Sequence, residues 1–210
     1  MEIDIEYLKQ KQIELSKKVI IKPLDIEIKY IAGCDSAFRG DLINSVFVVL
    51  DFKTLSIVEI KNITSNVNFP YIPGFLAFRE VPNLINAYEN LKIKPDLIMV
   101  DGHGISHPRG LGIASHLGVI LNKPTIGVAK SILVGKYKEP CKIKGCKEIV
   151  YFNNKAVAYA LRSKNNSDVI FVSPGHLIDL DSALSIVLKT LKNYKLPEPT
   201  RIADYYSRKF

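Results

Sequence analysis

The sequence predicts an α/β protein with a mixed central β-sheet flanked by α-helices. Two observations lead to this fold class. Three strand-like segments come first, and after them helical and strand-like segments alternate along the chain. Segments 95–99 and 124–129 are short and almost wholly apolar, which is typical of strands covered on both faces. Consecutive strands favour antiparallel pairing and strand–helix alternation favours parallel pairing, so we expect both in one sheet.

The N-terminal part supplies the consecutive strands. Residues 3–19 carry apolar side chains at helical spacing and predict an amphipathic helix. Residues 28–35 predict a strand that ends in an aspartate. Residues 44–51 and 55–63 are rich in β-branched side chains, and the turn between them predicts a hairpin. Residues 69–74 hold two prolines and a glycine, which favours a shaped loop.

The remaining segments follow the alternating pattern. Asn153 and Asn154 separate two strand-like runs and indicate a tight hairpin turn. Pro82 falls early in its predicted helix, where we expect it to be tolerated or to cause a kink. The predicted elements, in order, are a helix at 75–91, a strand at 95–99, a helix beginning near 111, a strand at 124–129, the start of a short helix at 131–133, strands at 148–153, 155–162 and 169–172, a helix at 178–191 and a short terminal helix within 197–210.

Length and composition indicate one domain spanning residues 1–210, with 47% hydrophobic and 24% charged residues. No apolar run reaches membrane-spanning length and no secretory signal pattern is evident, so we expect no membrane association and a cytoplasmic location. The three cysteines are an odd number without metal-site spacing, which fits a reducing compartment. Cys141 and Cys146 could form a small disulfide, but free thiols are the favoured interpretation.

The formal net charge of +8 is concentrated in one part of the chain. Between Lys130 and Lys164, nine Lys and Arg residues stand against two acids, which leaves +7 in that segment. A localised basic surface suggests a ligand with a phosphate backbone. A lysine-rich solvated surface accounts for the charge equally well, and charge alone leaves both interpretations open.

Three acidic residues are candidates for a metal site. Asp35 and Asp101 each end a predicted strand, and their carboxylates converge if those strands are neighbours. Glu80 lies about one and a half turns into a predicted helix, from which its side chain could reach the same point. Clustered carboxylates repel one another unless a cation neutralises them, and oxygen ligands of this kind suit Mg²⁺ or Mn²⁺. Taken singly, each acid is more often a helix cap or a surface carboxylate.

Basic and imidazole side chains near the strand ends could assist such a site. Lys130 follows the strand at 124–129 and could neutralise charge on a phosphoryl oxygen. His176 precedes a helix and could hydrogen-bond an attacking water or a phosphate. His103 and His116 are interpreted as structural donors, the commoner role for a lone histidine.

Together these motifs resemble the endonuclease V family, whose members share the ribonuclease H-like fold. The resemblance covers almost the whole chain, and the combination is specific although each part alone is not. The matching segments are residues 33–38, 70–80, 101–118, 127–131 and 173–176, in the order that the family has them.

The resemblance implies an endonuclease of DNA repair. Such a hydrolase recognises inosine in a nucleic acid and cuts the second phosphodiester bond 3′ to it, leaving 3′-hydroxyl and 5′-phosphate ends. The implied cofactor is Mg²⁺, with Mn²⁺ as a substitute. The implied partner is DNA containing deoxyinosine, with inosine-containing RNA as an open alternative, and we expect a monomer.

The resemblance also assigns roles to residues of this chain. The implied catalytic residues are Asp35, Glu80, Asp101, Lys130 and His176, the first three as metal ligands. The implied substrate-binding residues are Tyr71, Ile72, Pro73, Gly74, Leu76, Gly102, His107 and Ile113. Within this set, residues 71–73 are implied to form a wedge that holds strands apart, and a hypoxanthine pocket is implied near Gly74, Leu76, Gly102 and Ile113.

Two other functions stay open at this point. Another nuclease on the same fold, directed at RNA or at junctions, would share the acids but would not need the wedge at 70–74. A non-catalytic nucleic-acid-binding module would use the basic segment and would not need three converging carboxylates.

Overall fold

The computed structural model describes residues 4–67 and 69–210. Ile3, which the sequence analysis placed in the first helix, lies outside the described residues. The strands are β1 (Tyr30–Arg39), β2 (Leu42–Asp51), β3 (Ile57–Asn66), β4 (Leu97–Asp101), β5 (Thr125–Ala129), β6 (Lys147–Phe152), β7 (Lys155–Leu161) and β8 (Ile170–His176). The helices are α1 (Ile5–Ser16), α2 (Leu76–Glu89), α3 (Ile113–Leu121), α4 (Leu180–Thr190) and α5 (Glu198–Ser207).

All eight strands form one mixed sheet in the order β3-β2-β1-β4-β5-β8-β7-β6. The three central strands β1, β4 and β5 are parallel, and the remaining pairs are antiparallel. The predicted mixed α/β sheet is therefore confirmed. Because β1, β4 and β5 are parallel, their C-terminal ends lie at the same edge of the sheet, which we call the carboxyl edge.

Helices cover both faces of the sheet because its strands carry apolar side chains on both. On one face, Ile31, Leu97 and Met99 pack with residues of α4 and α5. On the other, Ala32 and Ile98 pack with residues of α2 and α3. Since successive strand residues point to opposite faces, odd-numbered residues of β1 and β4 point towards α4 and α5. Asp35 and Asp101 are among these odd-numbered residues and therefore lie on the face covered by α4 and α5.

Several local expectations differ from the structure. Asp35 does not end its strand, because pairing with β2 continues to Arg39. Residues 131–133 form no helix. Residues 173–176 extend β8 beyond the predicted strand at 169–172. The predicted tight hairpin turn, by contrast, is confirmed, because Asn153 and Asn154 have φ angles of 49° and 60°.

Cys141 and Cys146 are joined by a disulfide, which corrects the expectation of free thiols. Their Cα atoms lie 5.6 Å apart, a separation that a disulfide spans readily. Cys34 is a free, buried cysteine. None of the helices in the described part of the chain is long and apolar enough to cross a membrane.

Candidate active site

Three carboxylates meet at the carboxyl edge of the sheet. One oxygen each of Asp35 in β1, Asp101 at the end of β4 and Asp204 in α5 lie within 4.8 Å of one another. Cys34 of β1 is paired with Val100 of β4 in parallel register, so the two aspartates that follow them lie side by side. The structure thus brings two of the three predicted acids together and adds a third that the sequence analysis missed.

Asp204 reaches the site because α5 packs unusually close to β1. A Cβ atom on Gly33 would lie 1.8 Å from the Pro199 carbonyl oxygen, so only glycine allows this approach. The helix then places Ser207 Oγ 2.7 Å from Asp35 Oδ2, to which it donates a hydrogen bond. In the sequence, residues 197–210 indicated only a short terminal helix, and no local motif marked Asp204 as a ligand.

Glu80 enters from the opposite face, in the second turn of α2, and its side chain is buried. The pKa of Glu80 is raised to about 8, first by burial and then by repulsion from Asp35 and Asp101. Its carboxylate is therefore electrically coupled to the cluster but lies outside the 4.8 Å group. The predicted set of three acids is present, with Glu80 in a neighbouring position.

The strand carboxylates are also held in an unfavourable state when charged. The pKa of Asp35 is raised to about 6, first by burial and then by repulsion from Asp101, against the lowering effect of the Ser207 hydrogen bond. Burial likewise raises the pKa of Asp101, while the hydrogen bond from Lys130 lowers it. These shifts record burial first and repulsion between carboxylates second, and the hydrogen bonds from Ser207 and Lys130 offset them only in part.

Lys130 lies at the cluster, as predicted. Its Nζ donates to Asp101 Oδ2 at 2.6 Å and to Asp204 Oδ1 at 2.8 Å. Arg208 Nη2 also contacts Asp204 Oδ1 at 2.8 Å. The lysine side chain is about 42% exposed, so its ammonium can turn towards an incoming phosphate without crossing the core. It sits where charge that develops on a phosphoryl oxygen could be neutralised.

The residues present fit a divalent cation. The donors are all carboxylate oxygens, which hard cations such as Mg²⁺ and Mn²⁺ prefer. The oxygens converge from β1, β4 and α5, which are rigid elements, and Glu80 adds a fourth carboxylate beside them. The pKa values of Asp35, Glu80 and Asp101 are raised because their charged forms are disfavoured, and a bound cation would stabilise those charged forms. The acidic cluster could therefore hold a metal ion.

A cavity of about 330 Å³ opens beside the cluster. Its volume lies within the range of small-molecule sites. Gly102, directly after Asp101, forms part of its wall, and a φ of 148° favours glycine there. Of the predicted substrate-binding residues, those that line this cavity are Tyr71, Gly74, Leu76, Gly102, His107 and Ile113. Ile72 and Pro73 do not line it.

One wall of the cavity is fastened by a network that the sequence analysis also missed. Gln12 of α1 is buried, lines the cavity and donates through Nε2 to the Gly74 carbonyl at 2.9 Å. Arg109 donates to the same carbonyl at 2.9 Å, and its Nε donates to Gln12 Oε1. Its guanidinium also lies over the Phe75 ring, 4.8 Å from the centroid. In the sequence, Gln12 is one polar residue in an amphipathic helix, so no signal distinguished it.

Tyr71 stands out from the loop that this network holds. Its side chain is 65% exposed, although it borders the cavity. An aromatic ring that merely covered the apolar core would be buried, so the exposure disfavours such a structural role for Tyr71. The ring is available to a ligand that enters the cavity.

His176 is not brought to the cluster, and the expectation that it assists there is corrected. Strand β8 runs antiparallel to β5 and pairs His176 with Thr125, the first residue of β5. Phe171, which lies opposite Ala129, is at the carboxyl edge, so His176 lies roughly 16 Å away along the strand. Its Nδ1 accepts a hydrogen bond from the Ile20 N–H at 3.2 Å. It fixes the segment that follows α1.

Most of the chain is similar in sequence to known nucleases. The family model described as Endonuclease V matches residues 13–205. A protein named Endonuclease V from Dictyoglomus turgidum is 52% identical over 198 residues, which cover 94% of this chain and 87% of that protein. One from Thermosipho melanesiensis is 45% identical over 194 residues, covering 92% of this chain and 85% of the relative.

Solved structures give the same result. Endonuclease V from Streptomyces avermitilis superimposes with a TM-score of 0.93 at 37% identity, covering 99% of this chain and 93% of that one. Endonuclease V from Ciona intestinalis, in complex with a 24mer DNA containing an inosine followed by a ribo-adenosine, gives a TM-score of 0.85 at 29% identity. That match covers 98% of this chain and 96% of the other.

Proposed function

The chain belongs to the endonuclease V family and is a nuclease, and we propose that it cuts the second phosphodiester bond 3′ to inosine. The observation that supports this most directly is the position of the carboxylate cluster next to a base-sized cavity, with Asp101 and Gly102 adjacent in sequence. The end of β4 thus contributes Asp101 to the carboxylate cluster and Gly102 to the wall of the cavity. Inosine arises from deaminated adenine, so the proposed role is DNA repair.

Hydrolysis requires a water activated next to the phosphorus and a stabilised leaving oxygen. A divalent cation bound here would lower the pKa of that water and neutralise the phosphoryl charge. Asp35, Asp101 and Asp204 would hold it, with Glu80 beside them. We propose Mg²⁺ as the natural ion and Mn²⁺ as a substitute, because both prefer oxygen ligands.

The protein groups then position and neutralise the reacting atoms. A bond forms between the water oxygen and phosphorus, and the bond from phosphorus to O3′ breaks. The chain upstream of the cut keeps a 3′-hydroxyl and the chain downstream keeps a 5′-phosphate. Lys130, which is shared between Asp101 and Asp204, can place its ammonium against a phosphoryl oxygen during this step.

Recognition of the base is proposed for the cavity that Gly74, Leu76, Gly102, His107 and Ile113 line. Inosine carries an oxo group where adenosine carries an amino donor, so a wall of N–H donors would select between them. The exposed ring of Tyr71, followed by Ile72 and Pro73, would occupy the space that the displaced base leaves.

We also propose the domain organisation, oligomeric state, substrate and location of the protein. We treat residues 1–210 as one nuclease domain, since all eight strands share one sheet. We propose that the protein acts as a monomer on deoxyinosine in DNA and that it is located in the cytoplasm, a location that the cysteines no longer support because Cys141 and Cys146 form a disulfide.

The test is a cleavage assay on matched duplexes with and without one deoxyinosine, in the presence and absence of Mg²⁺. We expect a single Mg²⁺-dependent cut at the second bond 3′ to inosine, and none in the matched control. A parallel arm with inosine-containing single-stranded RNA measures the preference between the two nucleic acids. Cleavage that ignores inosine would favour another nuclease on this fold, and binding without cleavage would favour a non-catalytic module.

A further inference from the structure

The segment between β5 and β6 contains a small loop closed by a covalent bond. The disulfide between Cys141 and Cys146 closes it, and we call residues 141–146 the disulfide loop. Arg162 is buried beneath it and donates to the Pro140 carbonyl at 2.9 Å and to the Cys141 carbonyl at 3.1 Å. A buried guanidinium used to hold backbone carbonyls makes the loop a fixed structure and not a loose surface segment.

The tip of the loop presents an apolar side chain between two cations. Ile143 is 67% exposed, slightly more than Tyr71, and has Lys142 and Lys144 on either side. The turn is tight, because the Cys146 N–H donates to the Ile143 carbonyl at 3.1 Å. A single exposed apolar side chain is common on protein surfaces, so the case for a ligand surface rests on the lysines that surround Ile143.

A third lysine is held beside the tip by the loop that joins β7 and β8. The Asn166 N–H donates to the Lys142 carbonyl at 2.9 Å, and the Lys144 N–H donates to Asn165 Oδ1 at 2.7 Å. These bonds place Lys164, which is exposed, in the same surface. Within the described part of the chain, the three lysines form no salt bridge, and Lys144 Nζ donates one hydrogen bond, to the Lys192 carbonyl at 3.0 Å.

This basic tip lies along the same edge of the sheet as the carboxylate cluster. Lys147 at the start of β6 is paired with Leu161 at the end of β7, and Leu161 is paired with Ile170 at the start of β8. Four strand spacings separate β4 from β6 in the sheet order, or roughly 19 Å at about 4.8 Å each. A phosphate strand rises about 3.4 Å per nucleotide, so this span corresponds to about five or six nucleotides.

We propose that the disulfide loop is a second contact with the nucleic acid, which binds phosphates of the duplex about five or six base pairs from the scissile bond. Lys142, Lys144 and Lys164 neutralise the phosphates, and Ile143 packs against the sugar edge of the groove between them. The inference rests on the proposed function, since the active site defines where the duplex lies. The inference gives a binding role to basic residues that take no part in the cleavage chemistry.

The main experiment removes the positive charge from the tip. We compare K142Q/K144Q/K164Q with wild type in single-turnover cleavage of a long deoxyinosine duplex, varying enzyme and salt concentrations. We expect half-saturation to require at least about tenfold more enzyme at about 0.1 M salt, while the saturated rate stays unchanged. The salt dependence of log affinity should become shallower by about 0.9 for each phosphate that the variant no longer neutralises, and so by up to about 2.7.

The control variant K22Q/K53Q/K155Q removes the same charge from exposed positions near the opposite end of the sheet. It should leave affinity and salt slope near wild type. An equal effect in both triple variants would assign the result to net charge alone and overturn the proposal.

Two further measurements keep the inference testable even if the tip variant is unstable. With wild-type protein, shortening the duplex to fewer than about five base pairs on one side of the scissile bond should reproduce the weaker affinity, and shortening the other side should not. C141S/C146S should weaken affinity for the long duplex only. Equal dependence on both flanks would overturn the inference. Failure of wild type to cut at inosine would refute the proposed function, whereas duplex affinity measured by anisotropy would still test the tip.

Discussion

Glu80→Gln should make the metal-free protein more stable while abolishing cleavage. The pKa of Glu80 rises from 4.5 to about 8 because the carboxyl is buried near two aspartates. Below about pH 4.5 both the folded and the unfolded states are protonated, so the site has no cost. Between that pH and about 8, the unfolded state ionises and the folded state does not, so stability falls by about 1.4 kcal/mol per pH unit. At pH 7 the accumulated cost is about 3 kcal/mol.

Urea unfolding in EDTA at several pH values measures this effect. The wild-type free energy of unfolding should fall relative to that of Glu80→Gln as pH rises, and the gap should stop growing above about pH 8. Saturating Mg²⁺ should reduce the gap, because a cation that binds the folded carboxylates stabilises the wild type more. Parallel stability curves for the two proteins in EDTA would refute the argument that Glu80 is held in an unfavourable environment.

Three other changes test separate parts of the site. Asp204→Asn should reduce single-turnover cleavage by at least about a hundredfold while largely sparing duplex binding, and near-normal cleavage would remove it from the cluster. Tyr71→Ala should weaken duplex affinity by about ten- to a hundredfold and single-strand affinity less, whereas Tyr71→Phe should stay near wild type. Wild-type affinity in Tyr71→Ala would contradict the wedge. Gln12→Ala should raise half-saturation and reduce the preference for inosine over adenosine, measured as a ratio of single-turnover efficiencies. The matched change Gln10→Ala, at an exposed position of the same helix, should do neither.

Local patterns in the sequence predicted those parts of the molecule that depend on neighbouring residues. Alternating apolar segments predicted the mixed α/β sheet, and Asn153 and Asn154 predicted a turn whose φ angles the structure confirms. Parallel pairing of neighbouring strands brought Asp35 and Asp101 side by side, as expected from strands that each carry an aspartate near the end. Each of these features follows from side-chain periodicity or from the conformational preference of a few residues.

Only the tertiary structure decided the features that join distant segments. Asp204 becomes a ligand candidate because α5 folds back onto β1, an approach that depends on the missing side chain of Gly33. His176 lies far from the site because β8 runs antiparallel to β5, and the local sequence of β8 does not reveal that direction. The sequence by itself determined which strands, turns and acids this protein has. The three-dimensional packing decided which of those acids share one site, because proximity across the sheet depends on strand order and direction and not on local pattern.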